Sequence, residues 1–121
     1  MKEVDDSAQP NALIPRPGML DRWSEQNWTN GVQINELKEL DTLTVETTHH
    51  TYEITIIDPI SAEVLVRGGE LFRERTEARV SGASLGGSFL KIHGIYVGFK
   101  MELQIGRRHI VTSAVRSIAI G

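Results

Sequence analysis

Residues 43–58 read LTVETTHHTYEITIID, and the order of apolar and polar side chains in this stretch decides the fold class. Leu43 and Val45 alternate with polar neighbours, and after a polar break Ile54 and Ile56 do the same. An apolar residue at every second position is typical of a β-strand that buries one face, because successive side chains point to opposite sides of a strand. The stretch therefore predicts two half-buried strands.

The same alternation continues towards the C-terminus. It recurs in EVLVRGG at residues 63–69 and in KMELQI at residues 100–105, and the final HIVTSAV and RSIAI predict a hairpin and a tail strand. Residues 70–79, ELFRERTEAR, fit either about two helical turns or a loop that leads into a strand near Ala78–Ala83. One helical turn is expected in NELKEL, residues 35–40.

The number and spacing of these segments indicate the architecture. About six or seven short strands separated by turn signals such as Asp58-Pro59 and Gly106 favour an antiparallel sheet that closes or doubles on itself. We expect an all-β fold, a small antiparallel β-barrel or sandwich of SH3-like or Sm-like size. At 121 residues, one domain is the simplest arrangement.

The first part of the chain has a different character. Residues 1–18 contain three prolines and no sustained periodicity, so we expect a flexible N-terminal arm at residues 1–31 and the small β-barrel domain at residues 32–121. Trp23 and Trp28 both lie in this arm. They either fold back over an open end of the domain or anchor the arm on a partner, since tryptophan is a common interface anchor.

Composition excludes several classes of protein. The chain has no cysteine, which excludes disulfides, thiolate zinc sites and cysteine nucleophiles, and no apolar run is long enough to span a bilayer. Adjacent His49 and His50 would point to opposite faces of a strand, where they could not share a metal ion. We expect a cytoplasmic protein with no cofactor, no metal site and no membrane contact.

The charges are unevenly divided along the chain. Residues 1–66 carry four basic and twelve acidic side chains, whereas residues 67–121 carry nine basic and four acidic ones. The two halves therefore attract each other, within one molecule or across a symmetric dimer, or the second half carries an anion-binding face.

Residues 82–86, GASLG, match the G-x-S-x-G pattern that presents a nucleophilic serine in many hydrolases. Glu102 and His109 follow Ser84 in the order of acid and base that α/β-hydrolases use. However, the glycines that follow, Gly86 and Gly87 among them, disfavour the helix that such a serine must precede. We expect a tight connection or bulge instead, with no catalytic residue, although its bare N–H groups could bind an anion.

Two local resemblances concern the arginines. VLVRGGELF, residues 64–72, resembles the second signature of Sm-like RNA-binding proteins, which implies that Arg67 stacks on a base and Gly68 permits its close approach. The spacing of Arg75 and Arg79 resembles the first motif of PilZ domains, which bind a cyclic dinucleotide. That resemblance implies a ligand site at Arg75, Arg79, Ser84 and Gly87, and we expect the neighbouring Arg73 and Gly86 to contribute to binding of the ligand or anion.

A broader resemblance covers residues 43–118. The segments TYEITIID, VLVRGG, SGASLGGS, VGFKMEL and IVTSAVRSI, in this order, resemble a family of uncharacterised small bacterial β-domain proteins. We expect a non-enzymatic protein-interaction or ligand-binding module that has a protein partner or self-associates. The alternatives are RNA or nucleotide binding through the region from Arg67 to Arg79 and, third, hydrolysis by Ser84.

Overall fold

The computed structural model describes residues 30–86 and 89–121. The chain forms nine strands within these ranges, and a short 3₁₀ helix at Ile34–Glu36 follows the first of them. The strands are β1 (Gly31–Gln33), β2 (Thr42–Thr47), β3 (Thr51–Asp58), β4 (Glu63–Gly68), β5 (Phe72–Ser84), β6 (Leu90–Ile92), β7 (Gly94–Tyr96), β8 (Lys100–Ile105) and β9 (Arg108–Ile120). No helix in this part of the chain is long and apolar enough to cross a bilayer.

Six of the strands close into a ring. The antiparallel sheet has the order β4-β3-β2-β9-β8-β5, and an additional pairing between β4 and β5 joins its two ends. β6 pairs with the last part of β5 and lies outside the ring. The prediction of a small all-β fold is confirmed, and closure of the sheet makes it a barrel.

The core is built from the alternating residues that the sequence indicated. Leu43 and Val45 of β2 and Ile54 and Ile56 of β3 are fully buried, as are the valines of β4. Each fully buried aliphatic side chain of this size contributes about 1.5–3 kcal/mol relative to an exposed one. The period of two in the sequence therefore places these residues on the inner side of the barrel.

β5 differs from both structures expected for residues 70–79. A strand over Ala78–Ala83 is present, but it begins at Phe72, directly after the turn at residues 69–71, so residues 72–79 are strand and neither loop nor helix. Its first half pairs with β4, where Val64 lies opposite Ala78, and its last residues pair with β8. Burial of Phe72 and the two ladders stabilise this strand over the local helical preference of its charged residues.

β9 is also one strand: it forms the expected hairpin with β8 through the connection at Gly106-Arg107, but the tail strand expected separately at RSIAI is the continuation of β9. Two irregularities allow it to curve through its 13 residues: its register shifts against β2 between Glu46 and Thr47, and against β8 between Lys100 and Glu102. Bulges of this kind bend a strand and increase its twist. They allow one strand to pair with β8 along its first part and with β2 along its last part.

A second, two-stranded sheet packs against the barrel. β1 pairs with β7, and Ile34 and Ile95 from this region belong to the main core. The expected helical turn is present, although it covers Ile34–Glu36 rather than residues 35–40.

Candidate functional site

The three residues considered for a hydrolase lie together. Ser84 ends β5, Glu102 is in the neighbouring β8, and His109 is in β9 on the far side of β8. The Ser84 hydroxyl donates to Glu102 Oε2, and Glu102 Oε1 lies 2.7 Å from His109 Nε2. The pairing of strands distant in sequence thus forms one polar cluster, which we call the Ser84–Glu102–His109 cluster.

The order of groups in this cluster differs from the order in a catalytic triad. In a triad the histidine contacts the serine and takes its proton, and the carboxylate orients the histidine from behind. Here the carboxylate of Glu102 lies between the two other groups. The Ser84 hydroxyl is buried and accepts a second hydrogen bond, at 3.2 Å, from the N–H of Gly86. These contacts support a structural role for Ser84 at the end of its strand.

The imidazole of His109 is held on both sides. Its Nδ1 lies 3.3 Å from Gln104 Oε1, and Gln104 Nε2 donates to the carbonyl oxygen of Gly106 at 2.9 Å. Both ring nitrogens therefore face oxygen atoms, and about half of the side chain is exposed. His109 is a positioned group at the surface, whereas Glu102 behind it is only 7% exposed.

The burial of Glu102 is not what the alternation in β8 predicts. Met101 and Leu103 point into the core, so Glu102 points to the outer side of the barrel. Its register neighbours on this side are Gly82 in β5 and Val111 in β9. Only the register shared by these strands brings Ser84 within reach of the carboxylate, and the sequence carries no local signal for that register.

Exposed aliphatic side chains surround the cluster on the outer side. Ile92 lies opposite Gly82, and Leu90 lies opposite Ser84, so both share the face of Glu102 and Val111. Their exposed fractions are 64% for Ile92, 45% for Val111 and 41% for Leu90. We call Leu90, Ile92 and Val111 the outer apolar face.

The four arginines lie on one hairpin. Arg67 is in β4, and Arg73, Arg75 and Arg79 are in β5 at odd-numbered positions, which point to one side of the strand. All four are exposed. The structure therefore brings the sequence-predicted arginines together on the outer surface of β4 and β5.

Carboxylates are interleaved with these arginines. Arg67 Nε lies 3.9 Å from Glu53 Oε1, and Arg79 lies 3.4 Å from Glu63. Exposed pairs of this kind contribute about 0–1 kcal/mol each, but they lower the local positive potential. Within the described part of the chain, neither Arg73 nor Arg75 forms an ion pair. Five glutamates accompany the four arginines on or beside this hairpin: Glu53, Glu63, Glu70, Glu74 and Glu77.

The predicted glycines have different environments. Gly68 has a φ of +134°, and a Cβ atom there would lie 2.2 Å from the carbonyl oxygen of Thr51. The close approach at Gly68 is therefore to the main chain of β3. Gly86 has a φ of +109° and lies near the Lys100 side chain. Gly87 lies outside the described residues, as do Trp23 and Trp28.

A shallow groove of about 340 Å³ lies between the β2–β3 turn, the β4–β5 turn and β9. His49 and His50 line it from the β2–β3 turn and not from a strand, with their ring centroids 6.4 Å apart, so the expected opposite orientation on a strand is wrong. The Tyr52 ring packs edge-on against His50, and burial raises the pKa of its hydroxyl. Residues 30–86 and 89–121 contain no group of three or more metal-ligating side chains.

Comparison with known proteins adds no assignment for this site. A scan against protein-family models, a search of curated proteins and a search of solved structures found no match to the chain.

Proposed function

We propose that this protein is a non-enzymatic protein-interaction module that binds an extended segment of its partner at the edge of β6. The observation that carries the proposal is the position of β6 in the sheet. Each strand of the ring has a neighbour on both sides, whereas β6 extends the sheet beyond β5 and is outside the ring. Sheet edges accept an added strand through main-chain hydrogen bonds.

The main-chain groups of β6 are oriented for such pairing. The N–H of His93 donates to the carbonyl oxygen of Ser81 in β5. Since successive residues of a strand direct their N–H and C=O groups to opposite edges, the groups of Leu90 and Ile92 point away from β5. Gln33 Nε2, in the orientation that satisfies its neighbours, donates to the Ile92 carbonyl at 3.0 Å. A partner strand would displace or extend that side-chain contact.

The side chains of β6 supply specificity. Leu90 and Ile92 are exposed on the same face, so a partner with apolar residues at every second position can pack against both. Lys91 lies between them and points to the other face. An apolar residue exposed at a sheet edge favours association, which most proteins prevent by placing charges there.

The alternative function is binding of RNA or a nucleotide through Arg67, Arg73, Arg75 and Arg79. Within the described residues, Arg73 and Arg75 form no ion pair, which supports this alternative, but the negative charge of five neighbouring glutamates opposes binding of a phosphate group. This alternative predicts oligonucleotide binding that weakens steeply with salt. Binding of a single-stranded oligonucleotide at low salt that Arg73→Ala and Arg75→Ala abolish would favour it over the β6 proposal.

Peptide display on the immobilised full chain tests the β6 proposal. We expect selected peptides to be extended, with alternating apolar residues, and to bind less tightly to Ile92→Pro. This substitution removes an N–H that points away from β5, so it spares the β5–β6 pairing. Ile92→Glu should also weaken binding, and Ile60→Glu, which changes a more exposed isoleucine in the β3–β4 turn, should leave it unchanged. A selection without binders, or binders that tolerate both Ile92 variants, would refute the proposal.

A further inference from the structure

We infer that the segment preceding Asn30, residues 1–29, binds the outer apolar face formed by Leu90, Ile92 and Val111. Binding of a peptide at the β6 edge is not needed for this inference. It rests on the face itself, on where the described chain begins, and on the charges of the two parts of the chain.

The outer apolar face has the mixture of buried polar and exposed aliphatic side chains that is typical of a surface covered by another segment. Its centre is polar and buried: Ser84 is 1% exposed and Glu102 is 7% exposed, although both belong to the outer side of the barrel. Exposed aliphatic side chains lie on both sides of that centre, Ile92 on β6 and Val111 on β9. Because β6 and β9 are three strand spacings apart, the face is about 14 Å wide.

The described chain begins three residues before Gln33, whose side-chain amide contacts the Ile92 carbonyl at one side of this face. The carbonyl oxygen of Asn30 accepts a hydrogen bond from the N–H of Val97, and the next residue, Gly98, donates to Val115 of β9. Ala114, the neighbour of Val115, lies opposite Lys100 on the outer side. Trp23 precedes Asn30 by seven residues, which span up to about 23–25 Å when extended. A tryptophan at this position can therefore reach any part of the face.

The charges of the two parts are complementary. The stretch from Leu90 to Gly121 has five basic side chains and one acidic side chain, Glu102, which already contacts Ser84 and His109. Residues 1–29 have an excess of acidic side chains, which attracts them to that stretch. The five acidic residues are Glu3, Asp5, Asp6, Asp21 and Glu25, and the three basic ones are Lys2, Arg16 and Arg22.

Trp23 and Trp28 supply the apolar part of the segment. Tryptophan buries a large surface and is enriched at the centres of interfaces. Leu90 and Ile92 would then contact the segment on the face that a partner at β6 also uses. Competition between segment and partner is a consequence, and this consequence alone rests on the proposed function.

Tryptophan fluorescence of the full chain tests the inference, because both tryptophans of the protein lie in residues 1–29. We expect emission at a shorter wavelength than in the guanidinium-unfolded chain, and protection from acrylamide. Val111→Glu should shift the emission to longer wavelength and increase quenching, and Ile92→Glu should do the same. Ile60→Glu, which changes an exposed isoleucine outside the face, should leave both unchanged. Circular dichroism establishes that each variant is folded.

Emission of the folded wild-type chain at the wavelength of the unfolded chain would overturn the inference. So would folded Val111→Glu and Ile92→Glu variants with the emission and quenching of the wild type. Either result would leave peptide binding at β6 standing, because the display experiment does not depend on the tryptophans. Conversely, a failed display with the predicted fluorescence shifts would remove only the proposed function.

Discussion

Glu102 Oε1 lies 2.7 Å from His109 Nε2, and the other oxygen of the same carboxylate accepts a hydrogen bond from Ser84. The carboxylate therefore joins the buried end of β5 to the half-exposed surface of β9 across β8. The same three residue types in a hydrolase would have the histidine between the other two. From their arrangement here we expect mutation of the cluster to change stability.

Replacement of Ser84 tests the structural role of its hydroxyl. Ser84→Ala removes a hydrogen bond to a buried carboxylate, so the free energy of unfolding should fall by about 1–3 kcal/mol. Urea unfolding measures this change. The matched control is Ser117→Ala. The Ser117 hydroxyl donates to Glu46 at the exposed surface, so its removal should lower the free energy of unfolding by about 0.5 kcal/mol or less. Equal stability of the Ser84 variant and the wild type would contradict the structural role.

Replacement of His109 should have a smaller effect. The Glu102 carboxylate remains hydrogen-bonded to Ser84 in His109→Ala, and the imidazole is about half exposed to solvent. We expect the free energy of unfolding to fall by about 1 kcal/mol or less, because the lost partner is at the surface and the carboxylate keeps its contact with Ser84. Urea unfolding of His109→Ala and Ser84→Ala under one set of conditions gives the order of their stabilities. A larger loss of stability in His109→Ala than in Ser84→Ala would contradict our expectation that the buried Ser84 contact contributes more than the half-exposed His109 contact.

The buried hydroxyl of Tyr52 should make the stability of the protein depend on pH in the alkaline range. Burial raises the pKa of its hydroxyl in the folded chain above the ordinary value of 10.0. The unfolded chain therefore loses this proton first, so the stability that the neutral hydroxyl contributes is fully present below pH 10.0 and is lost as pH rises from there through the folded pKa. Unfolding in urea at increasing pH should show a shallower decline for Tyr52→Phe than for the wild type. Identical slopes would contradict this assignment.

A side chain at position 68 should destabilise the fold strongly for steric reasons. The Cβ atom in Gly68→Ala would lie 2.2 Å from the Thr51 carbonyl oxygen, so β3 and β4 must separate or the turn must shift. The control is Gly106→Ala, which also has a positive φ but has no atom within 4 Å of the added Cβ. The control should lose about 1–2 kcal/mol from the left-handed backbone alone. Thermal unfolding should show a clearly larger loss for Gly68→Ala, and equal losses would contradict the close approach.

The fold class could be predicted because buried residues recur at every second position along the strands. Leu43, Val45, Ile54 and Ile56 alternate with polar residues, and all four are buried in the barrel. In β5 the pattern fails because Glu74, at a position with the parity of the core residues, is exposed near the open end of the strand. Local composition there favours a helix, and only the ladder with β4 shows that the segment is extended.

The site was less accessible from sequence. The order of Ser84, Glu102 and His109 along the chain suggested that they could act together, and they do lie together. Their arrangement depends on the register between β5, β8 and β9, which involves residues 18 and 7 positions apart in sequence and a bulge beside Gly82. Likewise, the position of β6 outside the ring depends on how the sheet closes and has no signal within Leu90–Ile92.

Hydrogen–deuterium exchange of the full chain with a peptide selected on it tests the central proposal most directly. We expect the bound peptide to slow exchange at the amide of Ile92, whose N–H points away from β5, and we expect Ile92→Pro to weaken binding. Unchanged exchange in β6, with slowing confined to the β4–β5 hairpin that carries Arg67, Arg73 and Arg75, would contradict peptide binding at the edge of β6.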